Sequence, residues 1–379
     1  MFFRSLVLCV LTLMLGCAPM PSVQVGEVFY PKAGQSLGMK DLDQKLAQAQ
    51  IILLGETHTN PHHHRIQLDL LKDFTRVNQT ETILGVEWLD ASAQAACDRL
   101  SSGKITVEEF AQKVDWPHTW GFPLELYKPI LEYVREKRLT LVALNAPTGV
   151  IKKIAQKGFK SLSPDERALI APSLDLNDPL YRKQLTFQFT PHGIKDSMAG
   201  DSFINAQIAR DETMAENLAR HLLPWPQAET KAVIMAGSGH MSRGLGLKPR
   251  LLRRLPGAKI LTVIPVSQKA MAAMGDQMEK LADLVVVSEP TPRHKPRLGL
   301  FLKPEDKGLL VMQVMPQSPA EKAGIKAGDI LLDIDGHAIK EVMDIHRLIK
   351  KNPQKKREYN FLRQGSSFTT NLSLTGKDK

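Results

Sequence analysis

The chain predicts an α/β fold, a mostly parallel sheet flanked by helices, followed by a small β-rich domain. Three observations lead there. Between about 38 and 288, six short apolar runs rich in Ile, Leu and Val alternate with segments of helical periodicity, the pattern of parallel strands covered by helices. A Pro- and base-rich stretch, Glu289 to Arg297, interrupts every regular pattern. Beyond it come short strand-like runs punctuated by Gly.

Residues 1–17 read as a lipoprotein signal peptide. Arg4 supplies positive charge, and Leu6 to Leu15 form an apolar stretch too short for a membrane span, which needs ~20 residues. Leu15-Gly16-Cys17 resembles the bacterial lipobox, which makes Cys17 the lipidated residue and the lipid membrane a partner. The alternative is a secretory signal cut near Ala18. Ala18 stands where an inner-membrane retention signal has Asp, so the resemblance implies the cell envelope, at an outer membrane facing the periplasm. Of the three cysteines, Cys9 leaves with the signal and Cys97 remains. That excludes an intramolecular disulfide in the mature chain, and Cys97 reads as a small buried hydrophobe. Residues 18–37, rich in Pro and Gly, read as a flexible tether.

The α/β domain is expected over 38–288. Its predicted strands are 50–54, 82–87, 139–144, 231–236, 259–264 and 284–288. Its predicted helices are 41–49, 61–77, 90–100, 122–137, 147–158, 198–222 and 245–254. Two tetrads directly follow strands: Gly55-Glu56-Thr57-His58 and Gly237-Ser238-Gly239-His240. Ligands of open α/β sheets bind at the carboxyl ends of strands, so both tetrads stand where chemistry is expected. Glu56 and His58, two apart, suit a divalent metal or acid–base work. The glycines of the second tetrad let backbone approach a ligand closely. Ser238 lacks the G-x-S-x-G context of a nucleophile.

Helix 61–77 opens with Asn60 as cap and Pro61 in its first turn. His62, His63 and His64 are consecutive and cannot all face one point; each reads as a polar helix end, and together as candidate metal or haem contacts. Glu87 ends a strand and serves either the cleft or the cap of the next helix. Asn145 reads as a turn residue before Pro147. Arg210 and Asp211 read as a helix-surface or inward pair. Trp116, Trp120, Phe122 and Tyr127 suit core packing or a haem face.

Lys and Arg outnumber Asp and Glu by 50 to 40, and most of the excess falls after 288. No nucleic-acid motif accompanies it, so the charge reads as a solvated face and linker, with no nucleic acid as partner. The linker is placed at 289–296.

The two tetrads, with Glu87 and the run Arg210-Asp211-Glu212-Thr213-Met214-Ala215, resemble the ChaN-like lipoproteins, of a superfamily with Tiki metalloproteases, TraB proteins and erythromycin esterases. The resemblance covers about 38–288. It implies Glu56, His58, Glu87, Arg210 and His240 around one cleft. Family members are associated with haem binding and iron uptake, which makes haem the expected cofactor. His58, His62, His63, His64, Arg210 and His240 are then its candidate contacts, with Arg65 or Arg210 for propionates. Tiki-like members use a divalent metal such as Mn or Co. On that alternative Glu56, His58, Glu87 and His240 hold the ion, and the same residues with Arg210 are catalytic in peptide hydrolysis. A third reading is an adaptor without chemistry.

Residues 297–376 resemble a bacterial PDZ domain through Leu298-Gly299-Leu300, Ser318 to Gly324, and Gly328-Asp329 to Asp335-Gly336. That resemblance implies a peptide or protein C-terminus as partner. Its carboxylate would be held at Leu298, Gly299 and Leu300, with Arg297 beside them. Helix 341–350, with Val342, Ile345, His346 and Ile349, would form the other wall. The module serves otherwise as a packing or dimerisation element, which leaves a homodimer open. No protease-like domain precedes it, against a serine-protease reading.

Overall fold

A computed structural model describes residues 23–189, 198–223, 230–290, 298–314, 318–352 and 355–373. The expected signal peptide and Cys17 lie outside the described residues, as does the stretch 291–297 with Arg297. The chain divides into two units, Met1–Thr291 and Pro292–Lys379.

The strands of the first unit are β1 (Val28–Tyr30), β2 (Gln35–Ser36), β3 (Ile51–Glu56), β4 (Glu81–Asp90), β5 (Thr140–Asn145), β6 (Thr230–Gly237), β7 (Ile260–Ser267) and β8 (Leu284–Ser288). Among the described residues they form one sheet in the order β2-β1-β8-β7-β3-β6-β4-β5. Strands β8 to β5 of that order run parallel, and β1 joins β8 antiparallel. All six predicted strands are present. One expectation is corrected: residues 28–36, read as part of the flexible tether, form β1 and β2, with Phe29 buried.

The helices are α1 (Met39–Gln48), α2 (Pro61–Asn78), α3 (Gln94–Ser101), α4 (Val107–Lys113), α5 (Trp116–Thr119), α6 (Leu124–Lys137), α7 (Thr148–Lys157), α8 (Pro164–Ala168), α9 (Pro179–Phe189), α10 (Met198–Leu222), α11 (Leu247–Arg254) and α12 (Gln268–Met274). Ile52 and Leu54 of β3 pack with α1, α2 and α6 on one face. Ile51 and Leu53 pack with α10 and α11 on the other. Successive strand residues point to opposite faces, so a sheet buried on both needs an unbroken apolar run. Each such side chain, fully buried, contributes roughly 1.5–3 kcal/mol relative to exposure. Cys97 is fully buried in the first of these cores, which pushes its thiol up to about 12.

The topology positions the cleft. From β3 the chain passes to β4 and β5 on one side, returns through β6 next to β3, then crosses to β7 and β8 on the other side. The direction of winding therefore reverses about β3, the position at which open α/β sheets bind ligands at the carboxyl ends of their strands. Register sets Glu56 beside Gly237.

The second unit has an antiparallel sheet of β9 (Leu300–Glu305), β10 (Gly308–Val314), β11 (Ile330–Ile334), β12 (His337–Ala338), β13 (Arg357–Arg363) and β14 (Ser366–Leu372), with helices α13 (Pro319–Lys322) and α14 (Val342–Lys351). The order is β14-β13-β11-β10-β9, with β12 on β11. Leu309, Leu331, Ile345 and Phe361 lie in its core.

Candidate functional site

His240 contacts the Glu87 carboxylate, and His58, far from it in sequence, acts on the same carboxylate through its charge. Glu87, buried within β4, accepts the Gly237 amide through Oε2 at 2.7 Å. Its Oε1 lies 3.1 Å from His240 Nε2 and 3.9 Å from an Arg210 nitrogen. The His58 ring packs against Gly237: a Cβ built there would come 2.9 Å from His58 Cε1 and 3.5 Å from Glu87 Oε2. The absent side chain of Gly237 therefore leaves a hollow that His58 and Glu87 share. Glu87 faces Gly237, His240 and Arg210 and caps no helix; Asp90 caps the 3-10 turn Ala91–Ala93 that leads into α3, accepting from the Ser92 amide at 2.9 Å.

His58 follows β3 in the turn before α2. Its Nδ1 donates to Glu56 Oε1 at 2.7 Å, and its ring lies 4.8 Å from Trp120 and 4.9 Å from Phe122. Glu56 is buried. Tyr127 donates to its Oε1 at 3.3 Å, and His64 Nδ1 lies 2.9 Å from Oε2. That last approach does not meet hydrogen-bond geometry at either atom. Burial opposes ionisation of Glu56, but the neighbouring imidazoles outweigh it and hold the carboxyl below its ordinary value. Burial also opposes a charge on His58, and Glu56 and Glu87 outweigh that in turn, raising its pKa.

His240 ends the 3-10 turn Ser238–His240. Its Nδ1 donates to Asp211 of α10, and Tyr181 of α9 donates to the other oxygen of Asp211. Both ring nitrogens thus face carboxylates. Burial alone would lower the His240 pKa; Glu87 and Asp211 carry it up to about 10. Glu87 correspondingly sits well below the usual carboxylate range, because the charges of His240, His58 and Arg210 overcome its burial. The Arg250 guanidinium lies 4.6 Å from the Tyr181 ring centre.

The structure brings Glu56, His58, Glu87, Arg210 and His240 together, and His64 joins them behind Glu56. His62 and His63 turn to other partners. His63 Nδ1 accepts the Thr57 amide at 2.9 Å and its Nε2 faces Ser288 Oγ at 3.2 Å; burial lowers its pKa to about 4. His62 Nδ1 accepts the Glu289 amide at 2.8 Å. Arg65 lines a separate cavity with His62, Leu37 and Ile66. Asn145 donates to the Glu87 carbonyl at 2.7 Å and so steadies the cleft. Trp116 and Tyr127 are core residues, while Trp120 and Phe122 are partly exposed beside His58.

Asp211 was legible only as one of a charged pair. It is fully buried and directed inward. Tyr181 was not found, because its helix shows little amphipathic pattern in the sequence. Among the described residues no group of three or more His, Cys, Asp or Glu is arranged to hold a metal ion.

A mostly parallel sheet with acids, histidines and an arginine clustered near the carboxyl ends of β3, β4 and β6, followed by a small antiparallel module, defines a two-part α/β protein with one polar cluster. The chain belongs to the family described as haem-binding uptake, Tiki superfamily, ChaN, which matches residues 42–251. A PDZ domain matches residues 310–359. A solved structure described as cofacial heme binding to ChaN of Campylobacter jejuni is similar in fold, with a TM-score of 0.55 and 18% identity, covering 70% of this chain and 97% of that one. Protein RETICULATA-RELATED 5, chloroplastic, of Arabidopsis thaliana is 24% identical over 242 residues, 58% of this chain and 32% of that protein. Serine protease Do-like HtrB of Bacillus subtilis (strain 168) is 38% identical over 80 residues, 21% of this chain and 18% of the protease. The chain thus spans about a third of the first relative's length and less than a fifth of the second's.

Proposed function

We propose that the first unit binds haem, with His58 as the axial ligand, in a cell-envelope lipoprotein anchored through Cys17 that handles haem or iron. The PDZ domain docks a peptide or protein C-terminus. The observation that carries this reading is the His58 environment. Its Nδ1 is fixed by a buried carboxylate at 2.7 Å, the arrangement that orients ligating histidines and raises their basicity. Nε2 is then the coordinating nitrogen, and two aromatic rings flank the imidazole. Arg210 Nε is buried without a hydrogen-bond partner, so this guanidinium suits a propionate. A protein imidazole is among the axial ligands that haem iron takes.

The donor set fits haem through His58 alone. A divalent ion held by Glu56, His58, Glu87 and His240 is the second reading, favoured by the neighbouring imidazole–carboxylate pairs His58–Glu56 and His240–Glu87, whose side chains would have to turn towards a common point. It requires His240 to surrender a carboxylate contact. In that reading Arg210 stabilises developing negative charge in a peptide hydrolysis.

Haem titration separates the two. A saturable Soret shift, lost in His58→Ala, supports haem binding. No such shift, with Mn²⁺- or Co²⁺-dependent peptide cleavage abolished by Glu56→Ala, overturns it in favour of the hydrolase. Mass analysis of the exported chain, with and without Cys17→Ser, tests the lipid anchor.

A further inference from the structure

We infer that Pro304 limits the PDZ domain to reading about the last four residues of a docked tail. This rests on C-terminal peptide docking at Leu298, Gly299 and Leu300. The carboxylate site precedes β9 in the chain. A tail anchored there by its terminus and added as a strand must therefore run antiparallel to β9. Among the described residues the sheet leaves β9 at its edge, so the tail extends from Leu300 towards Glu305.

Which β9 residues meet the tail follows from the ladder. In antiparallel pairs, successive residues alternate between bonding one neighbour and the other. Val311, opposite Leu302, donates its amide to the Asp329 carbonyl at 2.7 Å and accepts from the Gly328 amide at 2.8 Å. Its backbone is spent on the far side, so the Leu302 N–H and C=O face the open edge. By the same alternation residue 304 faces it, and so does Leu300, because the irregularity between Val311 and Gln313 adds its extra residue to β10 and leaves the β9 alternation unbroken. The two-residue turn closing Glu305 onto Gly308 agrees, since the pair flanking such a turn bonds inward.

The third edge-facing position is Pro304, which has no N–H. Leu300 serves the last residue of a tail and Leu302 the third from last. The fifth from last meets Pro304 and finds an acceptor but no donor. Its carbonyl loses water without gaining a hydrogen bond, and pairing stops there. Proline is tolerated in a strand where its missing N–H faces outward at an edge; here that edge is the docking face.

The probe is a seven-residue peptide with a free carboxylate, selected from a random C-terminal library on the full chain, with its four-residue truncation and its C-terminal amide. Affinities are measured by fluorescence anisotropy. In Pro304→Val the seven-residue peptide is expected to bind roughly three- to tenfold tighter, and the four-residue peptide unchanged. Pro304→Ala repeats the test, and unaltered four-residue binding reports an intact fold. Equal affinity of variant and wild type for the long peptide overturns the inference while docking stands. Failure to select any peptide, or equal binding of the amide, removes the docking reading and this inference with it.

Discussion

Glu87 accepts the Gly237 amide at 2.7 Å, so a side chain from β4 fastens the end of β6. The same carboxylate faces His240 at 3.1 Å. One buried group thereby fixes the turn of the second tetrad and the histidine that the turn carries. Position and charge at the cleft are coupled through it.

Stability depends on pH through this pair, with a defined sign. The folded pKa of His240, about 10, exceeds its ordinary 6.5. Its contribution is complete below about pH 6.5 and is lost as pH rises through about 10. Glu87 works at the other end, because its carboxyl is held below its ordinary 4.5. Its contribution is present above that value and lost as pH falls towards the folded value. Urea midpoints should decline from about pH 6 to about pH 10, and His240→Gln should flatten the decline. An equal slope in the variant would assign the effect elsewhere.

Gly237→Ala tests the hollow beside His58. The Gly237 φ is −55°, ordinary for any residue, so the backbone raises no objection. The added methyl would stand 2.9 Å from His58 Cε1 and 3.1 Å from Nε2. The imidazole must move, at a cost of about 1–3 kcal/mol. Haem titration should weaken more than global stability does, and an unchanged Soret titration would rule out His58 as ligand in its present orientation.

Tyr181→Phe removes the hydroxyl that donates to Asp211. Hydrogen bonds to a charged group contribute about 1.5–3 kcal/mol. Denaturant unfolding should shift by that amount, while the Soret position of haem-loaded protein stays where it was, because His58 lies outside this chain of contacts. A moved Soret band would implicate His240 in ligation.

The parallel strands were legible because burial on both faces demands continuous apolar residues, and Ile51 to Leu54 or Ala232 to Met235 offer no polar break. Strand β1 was not, since three residues amid Pro and Gly carry too little pattern. The candidate site was legible at its glycines and at Glu56, His58 and His240, set by the ends of strands, and at Glu87, although β4 runs on past it to Asp90. Tyr181 and Asp211 were less so: their roles depend on α9 lying across α10, a tertiary fact that local periodicity does not encode. The histidine triplet shows the same limit. Neighbours on one helix, His62, His63 and His64 serve Glu289, Ser288 and Glu56, three destinations fixed by how α2 rests on the sheet.

The pairing of Glu56 with Gly237 sets a condition on assembly. Strand β3 is made early and β6 late, so a nascent chain that has completed only β3, β4 and β5 holds half of the pocket. On the proposed function, ligand capture waits until β6 slots between β3 and β4, and a spectrum of bound haem would report a chain made at least through β6.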